Sequence, residues 1–410
     1  MYIAPFRPLR PRPDLVERIA CLPYDVVSTE EARSLAAGNP LSLLHVVRPE
    51  IDFPVDADPY APVVYQHAAT QLRNLQEQGA LIWENQPCLY LYQQMQGEHR
   101  QRGLAALGRV QDYDEGIIKK HEKTRPEKED DRTHLTATVN ANPGPVFLTY
   151  RDRSDIDALL EQEVTAPPLY DFITEDTIRH TVWRIPQSAA LVAAVAQVAC
   201  AYIADGHHRA ASAARVGRER RQANPQHTGK EAYHGFLCVF FPASQLNILA
   251  YNRLVRDLNG LSPDDFLQAA ALVGKIKPTG SAIPSAPGEL CCYIGRQWYR
   301  LRFPAVLAED AVARLDVSRL QDQLLGPVLG VDDPRTSKRL RFVGGVRGTD
   351  YLQEQVDSGR AAIAFSLYPV QVNQLMEIAD AHRVMPPKST WFEPKLRSGL
   401  FIHTLDGVSS

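Results

Sequence analysis

The sequence predicts an α/β protein of mixed α+β character, arranged as an elaborated N-terminal lobe and a second, C-terminal α/β lobe. Three observations predict it. The chain has 410 residues, more than one hydrophobic core usually serves. Strand-like and helix-like patterns alternate through its C-terminal part. Near its middle, a short apolar run breaks at an acid and a glycine and turns at once into an alanine- and arginine-rich helix pattern, "AYIADGHHRAASAARVGRER" from Ala201.

In the first hundred residues "CLPYDVVSTEEARSLAAG" reads as a turn, a short strand, a Ser or Thr cap and a helix closed by Gly38. "PCLYLYQQMQGEHRQRGLAALGRVQDY" reads as a β-hairpin around Gly97. The acids of "EKEDDR" can front a helix, because carboxylates favour the positive N-terminal turn. "GPVFLTY" is the next strand, "QSAALVAAVAQV" a buried helix and "CAYIA" a buried strand, so DGHHR falls at a strand-to-helix junction.

"HGFLCVFF" and "LNILAYNRLV" look like two further strands, and "LSPDDFLQAAAL" combines a serine cap with proline at the first helical position. The lobe boundary is placed there, near Leu261, giving lobes of 1–260 and 261–410. Beyond it come strands "GELCCYIG" and "QWYRLRF", helix "SRLQDQLLGPVLG", strand "RLRFVGG", helix "TDYLQEQVDSG", strand "AAIAFSLY" and helix "QVNQLMEIADA".

Composition excludes some classes of function. A net charge of −3 with 23% charged residues gives no electrostatic footprint for nucleic acid or anionic membranes. The six cysteines form no CxxC pair and sit in or beside apolar runs, as buried free thiols of a reducing compartment do. The N-terminus lacks the apolar core of a signal peptide, and no segment approaches 18 uncharged apolar residues, so a cytoplasmic protein is expected. There is no Walker A loop and no GxGxxG.

Three short motifs carry chemistry. In Asp205–Arg209, Gly206 lets backbone approach a ligand, and the helix that follows offers unpaired N–H groups and a partial positive charge. His207, His208 and Arg209 add donors for phosphate oxygens, and Asp205 can hold Mg²⁺ or a substrate hydroxyl. The bland alternative is an Asp-Gly turn before a capped helix. Adjacent histidines point apart, which weakens a shared metal site. In "KKHEKT", Glu122 beside His121 can serve as a general base among lysines, although the composition also suits a solvated charged loop. In "PPKST", Lys388, Ser389 and Thr390 can recognise a carboxylate or phosphate on a proline-stiffened segment, or the segment can simply pack.

Together and in this order the motifs resemble the ParB and sulfiredoxin superfamily, and more closely the archaeal free serine kinases. Those kinases carry a DGHHR segment, an upstream PHE motif whose glutamate activates the serine hydroxyl, and a closing SPKTT. The whole chain, from "LPYDVVS" to "MPPKSTWFEPK", is similar to the large bacterial domain-of-unknown-function family number one thousand and fifteen, grouped with that kinase. The resemblance implies a ParB/sulfiredoxin-like nucleotide-binding core and a magnesium-dependent kinase that phosphorylates free L-serine, or a related hydroxy amino acid, from ATP or ADP.

It implies Glu122 as base with His121 assisting, Asp205 positioning the hydroxyl or Mg²⁺, Gly206 to Arg209 on the nucleotide phosphates, and Lys388, Ser389 and Thr390 on the amino acid. The partners are then small molecules, with neither nucleic acid nor membrane, and a homodimer is left open. The alternative is a non-catalytic nucleotide-binding switch of the ParB-like kind, although no basic helix-turn-helix accompanies it. A sulfiredoxin-like reductase would need a cysteine where histidine stands.

Overall fold

The hairpin around Gly97 forms as the alternation requires. Strands Leu89–Gln96 and His99–Arg109 pair antiparallel with Gln96 opposite His99, and Gly97 takes the positive φ of +57° that the two-residue turn needs. This hairpin is the centre of a mixed nine-stranded sheet. Its order is Ile118–Lys119, Ala201–Asp205, Val146–Tyr150, Gly235–Pro242, His99–Arg109, Leu89–Gln96, Arg179–Ile185 and Tyr170–Ile173, with Ile3–Ala4 also on His99–Arg109. Two pairings are parallel, Ala201–Asp205 with Ile118–Lys119 and Gly235–Pro242 with Val146–Tyr150. The protein is thus a mixed α/β fold in this computed structural model, which describes residues 1–305 and 310–407.

The chain divides into two units. The first holds Met1–Lys120, Thr124–Leu246 and the tail from Pro394; the second holds His121–Lys123 and Asn247–Glu393. This differs from the expected lobes 1–260 and 261–410 in three ways. The break falls after Leu246, the HE pair groups with the second unit, and the last residues return to the first. The reason for the earlier break lies in "LNILAYNRLV". Where one strand is expected, two form: Asn247–Leu249 pairs with Trp391–Glu393, and Tyr251–Val255 enters the second unit's own sheet.

That sheet has six strands in the order Lys275–Pro278, Gln297–Arg302, Glu289–Ile294, Ile363–Leu367, Tyr251–Val255 and Leu340–Gly344, and every pairing is antiparallel. Helices Pro263–Val273, Gly348–Asp357 and Val372–Asp380 appear where the apolar spacing places them, the first with a Ser262–Asp265 capping box. In the first unit Ser28 and Glu31 form another, starting helix Thr29–Ala36. The strand expected just before that helix is absent; Cys21 makes one isolated bridge to Ser398 instead. All six cysteines are free thiols, five of them buried.

The first unit's principal core lies on its sheet and includes Leu91, Leu104, Leu148, Ile203, Phe236 and Phe240. A second cluster gathers helices around Leu43, Leu72, Leu135 and Ile402. Among the described residues no helix is long and apolar enough to cross a membrane.

An ion triad centred on the buried Glu84, the residue after strand Leu81–Trp83, joins buried Arg10 and exposed Arg184 of strand Arg179–Ile185. Arg10 Nε and Arg184 Nε each donate to Glu84 Oε2 at 2.8 Å, and the Tyr90 hydroxyl donates to the same oxygen at 3.3 Å. Burial alone would raise the Glu84 carboxyl above its ordinary 4.5, but the two guanidinium hydrogen bonds outweigh it and hold the group down to about 2. A depressed carboxylate contributes stability that is complete above the ordinary value and is lost as pH falls through the folded one. The thermal unfolding midpoint is therefore expected to drop between pH 4.5 and 2, with the Glu84 share on the order of 3 kcal/mol. A Glu84→Gln protein followed by circular dichroism should show a shallower slope across that window, and an identical slope would remove Glu84 as its source.

Candidate functional site

Strand Ala201–Asp205 is buried up to Ala204, shifts register between Ile203 and Asp205, and ends at the half-buried Asp205. Gly206 follows with φ +93°, a conformation that side chains other than hydrogen rarely adopt. Helix His207–Ala223 starts immediately, without a side-chain cap on its first N–H groups. Ala210, Ala211, Ser212, Ala213 and Ala214 span more than a full turn and are all small and buried, as is Gly217, so the helix is enclosed there and packs on helix Pro126–Val139. The sequence folds this way because an apolar strand, a left-handed glycine and an alanine-rich face follow each other with no spacer.

Arg209 folds back over this turn. Its Nη2 donates to Asp205 Oδ2 at 3.3 Å and its Nη1 to the Pro145 carbonyl, while its buried Nε has no hydrogen-bond partner among the described residues. A Cβ on Gly206 would stand 3.0 Å from the guanidinium, so the glycine serves both the backbone and the arginine. Lys395 Nζ reaches the same Asp205 oxygen at 3.5 Å. The Arg209 and Lys395 side chains are only 12% and 8% exposed, so water screens this group of charges weakly. His207 is buried in the first turn, and His208 Nε2 accepts the Arg125 backbone N–H at 3.1 Å, which assigns its proton to Nδ1.

This donor set has chemistry that can favour an anion. An uncapped helix N-terminus, a guanidinium with an uncommitted Nε and a buried ammonium all favour negative charge. The carboxylate of Asp205 is already shared by two cations, and a magnesium ion bound directly to it would face both. The residues around Asp205 therefore do not fit Mg²⁺ as a ligand sphere. Behind Arg209 lies a cavity of about 40 Å³ bordered by Arg132, Asn142, Ser212 and Ser398, room for a few waters and not for a nucleotide.

In the second unit the turn Pro387–Lys388 places Lys388 at φ +54°, with its Nζ 5.7 Å from the Tyr251 ring centre. Ser389 is buried and donates to the Pro386 carbonyl at 2.6 Å; Thr390 is half-buried. Arg253, fully buried, holds the segment from beneath: Nη2 donates to the carbonyls of Lys388 at 2.9 Å and Pro387 at 3.2 Å, and Nη1 to that of Tyr251 at 2.7 Å. Burial pulls the Arg253 guanidinium down to about 9. The Met385 N–H donates to the His121 carbonyl at 2.8 Å, so the HE pair and the PPKST segment lie on adjoining stretches of chain within this unit. His121 is buried and Glu122 half-buried.

The structure thus brings Asp205, Gly206, His207, His208 and Arg209 together in one unit, and His121, Glu122, Lys388, Ser389 and Thr390 in the other. Sequence reasoning missed Lys395 and Arg253. Only the tail's return to the first unit puts Lys395 on Asp205, and Arg253 sits inside a strand where periodicity assigns no role. It also missed a cleft of about 470 Å³ in the first unit, lined by Arg18, Thr174, Asp176 and Arg397 among others, whose parts come from distant segments. Arg397 is tied there to Asp176 and Thr174.

Fold and site define a mixed α/β protein with an anion-suited strand-to-helix turn. The chain belongs to the family described as "Protein of unknown function (DUF1015)", which matches residues 3–318. No curated protein matches it. Among solved structures it is similar to a free serine kinase variant in complex with ADP, at 11% identity and a TM-score of 0.39 over 72% of this chain and 92% of that one. It is also similar to C-terminally truncated SbnI from Staphylococcus aureus, at 12% identity and a TM-score of 0.40 over 72% and 87%. A conserved hypothetical protein from Pyrococcus furiosus aligns at 12% identity and a TM-score of 0.38, over 72% and 93%.

Two outcomes are expected from the local geometry. Gly206→Ala should destabilise the protein by about 1–3 kcal/mol in chemical denaturation, since it forces a side chain into the left-handed region and against Arg209. Arg253→Met should cost about 2–4 kcal/mol, because one buried and two part-buried carbonyl bonds lose their donor. Limited proteolysis should then cut first near Lys388.

Proposed function

We propose that the protein is a nucleotide-dependent small-molecule kinase that transfers a phosphoryl group to the hydroxyl of free L-serine or a related hydroxy amino acid. The observation that carries this reading is the turn at Asp205–Arg209, where a left-handed glycine, an uncapped helix start, Arg209 and Lys395 offer a weakly screened positive site to phosphate oxygens. The order of the HE, DGHHR and PPKST motifs supports the same assignment by resemblance to the free serine kinases.

In this reading the P–O bond to the terminal phosphoryl of ATP or ADP breaks, and a new P–O bond forms to the serine oxygen. The hydroxyl proton passes to the Glu122 carboxylate with His121 assisting, and the nucleotide leaves one phosphate shorter. Such a transfer asks the protein for alignment and charge neutralisation more than for covalent chemistry. Gly206, His207, His208 and Arg209 take the phosphates. Lys395, close against Asp205, adds charge there, and Asp205 keeps Arg209 and Lys395 in place. Lys388, with Ser389 and Thr390, takes the amino acid's carboxylate or the product phosphate. Magnesium, if required, is assigned to the incoming nucleotide and not to Asp205.

The test is mass-spectrometric detection of O-phosphoserine after incubating the full chain with L-serine, Mg²⁺ and, in turn, ADP, ATP, CTP and GTP. Product is expected with at least one adenine nucleotide. Glu122→Gln should lower turnover by about 10²- to 10⁴-fold with nucleotide binding close to unchanged. Turnover within tenfold of the original would remove Glu122 as base. Nucleotide binding without product from any donor would favour a non-catalytic nucleotide-binding switch, and absence of binding would overturn both readings.

A further inference from the structure

A second polar cluster lies in the first unit, in the link between helix His207–Ala223 and strand Gly235–Pro242. There His227, Glu231 and His234 turn their donor atoms to one point. His227 Nδ1 and His234 Nε2 are 3.0 Å apart, and Glu231 Oε2 stands 3.1 Å from the first and 3.4 Å from the second. The three atoms form a nearly equilateral triangle, and all three residues are half-buried.

Hydrogen bonding among themselves does not account for this triangle. A ring nitrogen carries either one proton or one lone pair. Yet His227 Nδ1 faces the His234 nitrogen, the Glu231 carboxylate and, at 3.2 Å, the Tyr233 hydroxyl. It can satisfy one of them well. A cation at the centre would satisfy all the lone pairs at once. Zinc–nitrogen bonds of about 2.0–2.1 Å in tetrahedral geometry set neighbouring ligand atoms roughly 3.3 Å apart, close to the spacing found.

The donors are also held in place before any ion arrives. Thr228 N–H donates to Glu231 Oε1 at 2.6 Å, the Thr228 hydroxyl to the same oxygen at 2.9 Å, and Gly229 N–H to Oε2 at 2.9 Å, with Gly229 at φ +84°. The Asn224 amide donates to the Tyr233 hydroxyl at 3.0 Å, and His403 Nε2 meets the Ala232 carbonyl at 2.9 Å, fixing the short turn Ala232–His234. Outer hydrogen bonds that orient ligands in this way accompany metal sites and sharpen their affinity.

We propose that His227, Glu231 and His234 form a binding site for a divalent transition metal, zinc above all, with the fourth position open to water or to Tyr233. Two imidazoles and one carboxylate select zinc, cobalt or nickel over magnesium and calcium, which prefer all-oxygen shells. The site is independent of the kinase reading.

The experiment is a titration of the metal-stripped full chain with Zn²⁺ against a chromophoric chelator, with Mg²⁺ as control and Co²⁺ absorption reporting geometry. About one equivalent of tightly held Zn²⁺ is expected, with a tetrahedral-type Co²⁺ spectrum and no competition from Mg²⁺ at the same concentration. His227→Asn and His234→Asn should each weaken zinc binding at least about tenfold, and Glu231→Gln should do so with its surrounding hydrogen bonds largely kept. Failure of the original protein to retain Zn²⁺, or retention unchanged in all three folded variants, would overturn the proposal. Failure of the original protein to bind Zn²⁺ overturns the proposal even where a variant fails to fold.

Discussion

One carboxylate shared by a buried ammonium and a half-buried guanidinium organises the first unit's most chemically distinctive feature. Asp205 ends a strand whose other four residues are buried and is itself half-buried, so an isolated charge there would be costly. Arg209, one helical turn on, and Lys395, from the returning tail, offset it together. A buried ion group returns little net energy over a well-packed apolar substitute, although removing one partner from it is costly. What the arrangement secures is a fixed guanidinium and ammonium beside an uncapped helix start. Preorganised positive charge of this kind needs no rearrangement when an anion arrives.

The same constraint explains why the glycine cannot be replaced freely. Gly206 must take a left-handed φ so that the helix can begin at once, and it must lack a Cβ so that Arg209 can lie over it. Two independent demands meet on one hydrogen atom. The Arg209 link to the Pro145 carbonyl then fastens the turn to strand Val146–Tyr150, two positions into the sheet. The helix start is thereby anchored from the strand before it, from the neighbouring strand and from the tail.

How much of this could be read in the sequence depended on whether the signal was local. The hairpin at Gly97, the capped helices and the strand-to-helix junction at DGHHR all rest on residues within a few positions of one another, and each forms where its pattern lies. What needed distant partners was not legible. Lys395 is 190 positions from Asp205. Arg253 reads as an ordinary strand residue until the PPKST carbonyls are found above it. The antiparallel order of the second unit escapes as well, because alternation of strands and helices fixes neither direction nor neighbour. The Leu246 break was hidden by a strand-like stretch, "LNILAYNRLV", in which Ala250 separates two strands of different sheets.

Distance along one helix separates the two sites of the first unit and constrains their roles. Helix His207–Ala223 begins at the anion turn and ends one residue before the link that carries His227, Glu231 and His234. Seventeen residues at 1.5 Å per residue put roughly 25 Å between its ends, far beyond contact between an ion at one and a phosphate at the other. A metal held by the histidines would therefore act apart from any ligand at Arg209. Its effect would be on the link itself, clamping a stretch that otherwise relies on side-chain hydrogen bonds from Asn224 and Thr228, and so fixing where the buried strand Gly235–Pro242 enters the sheet.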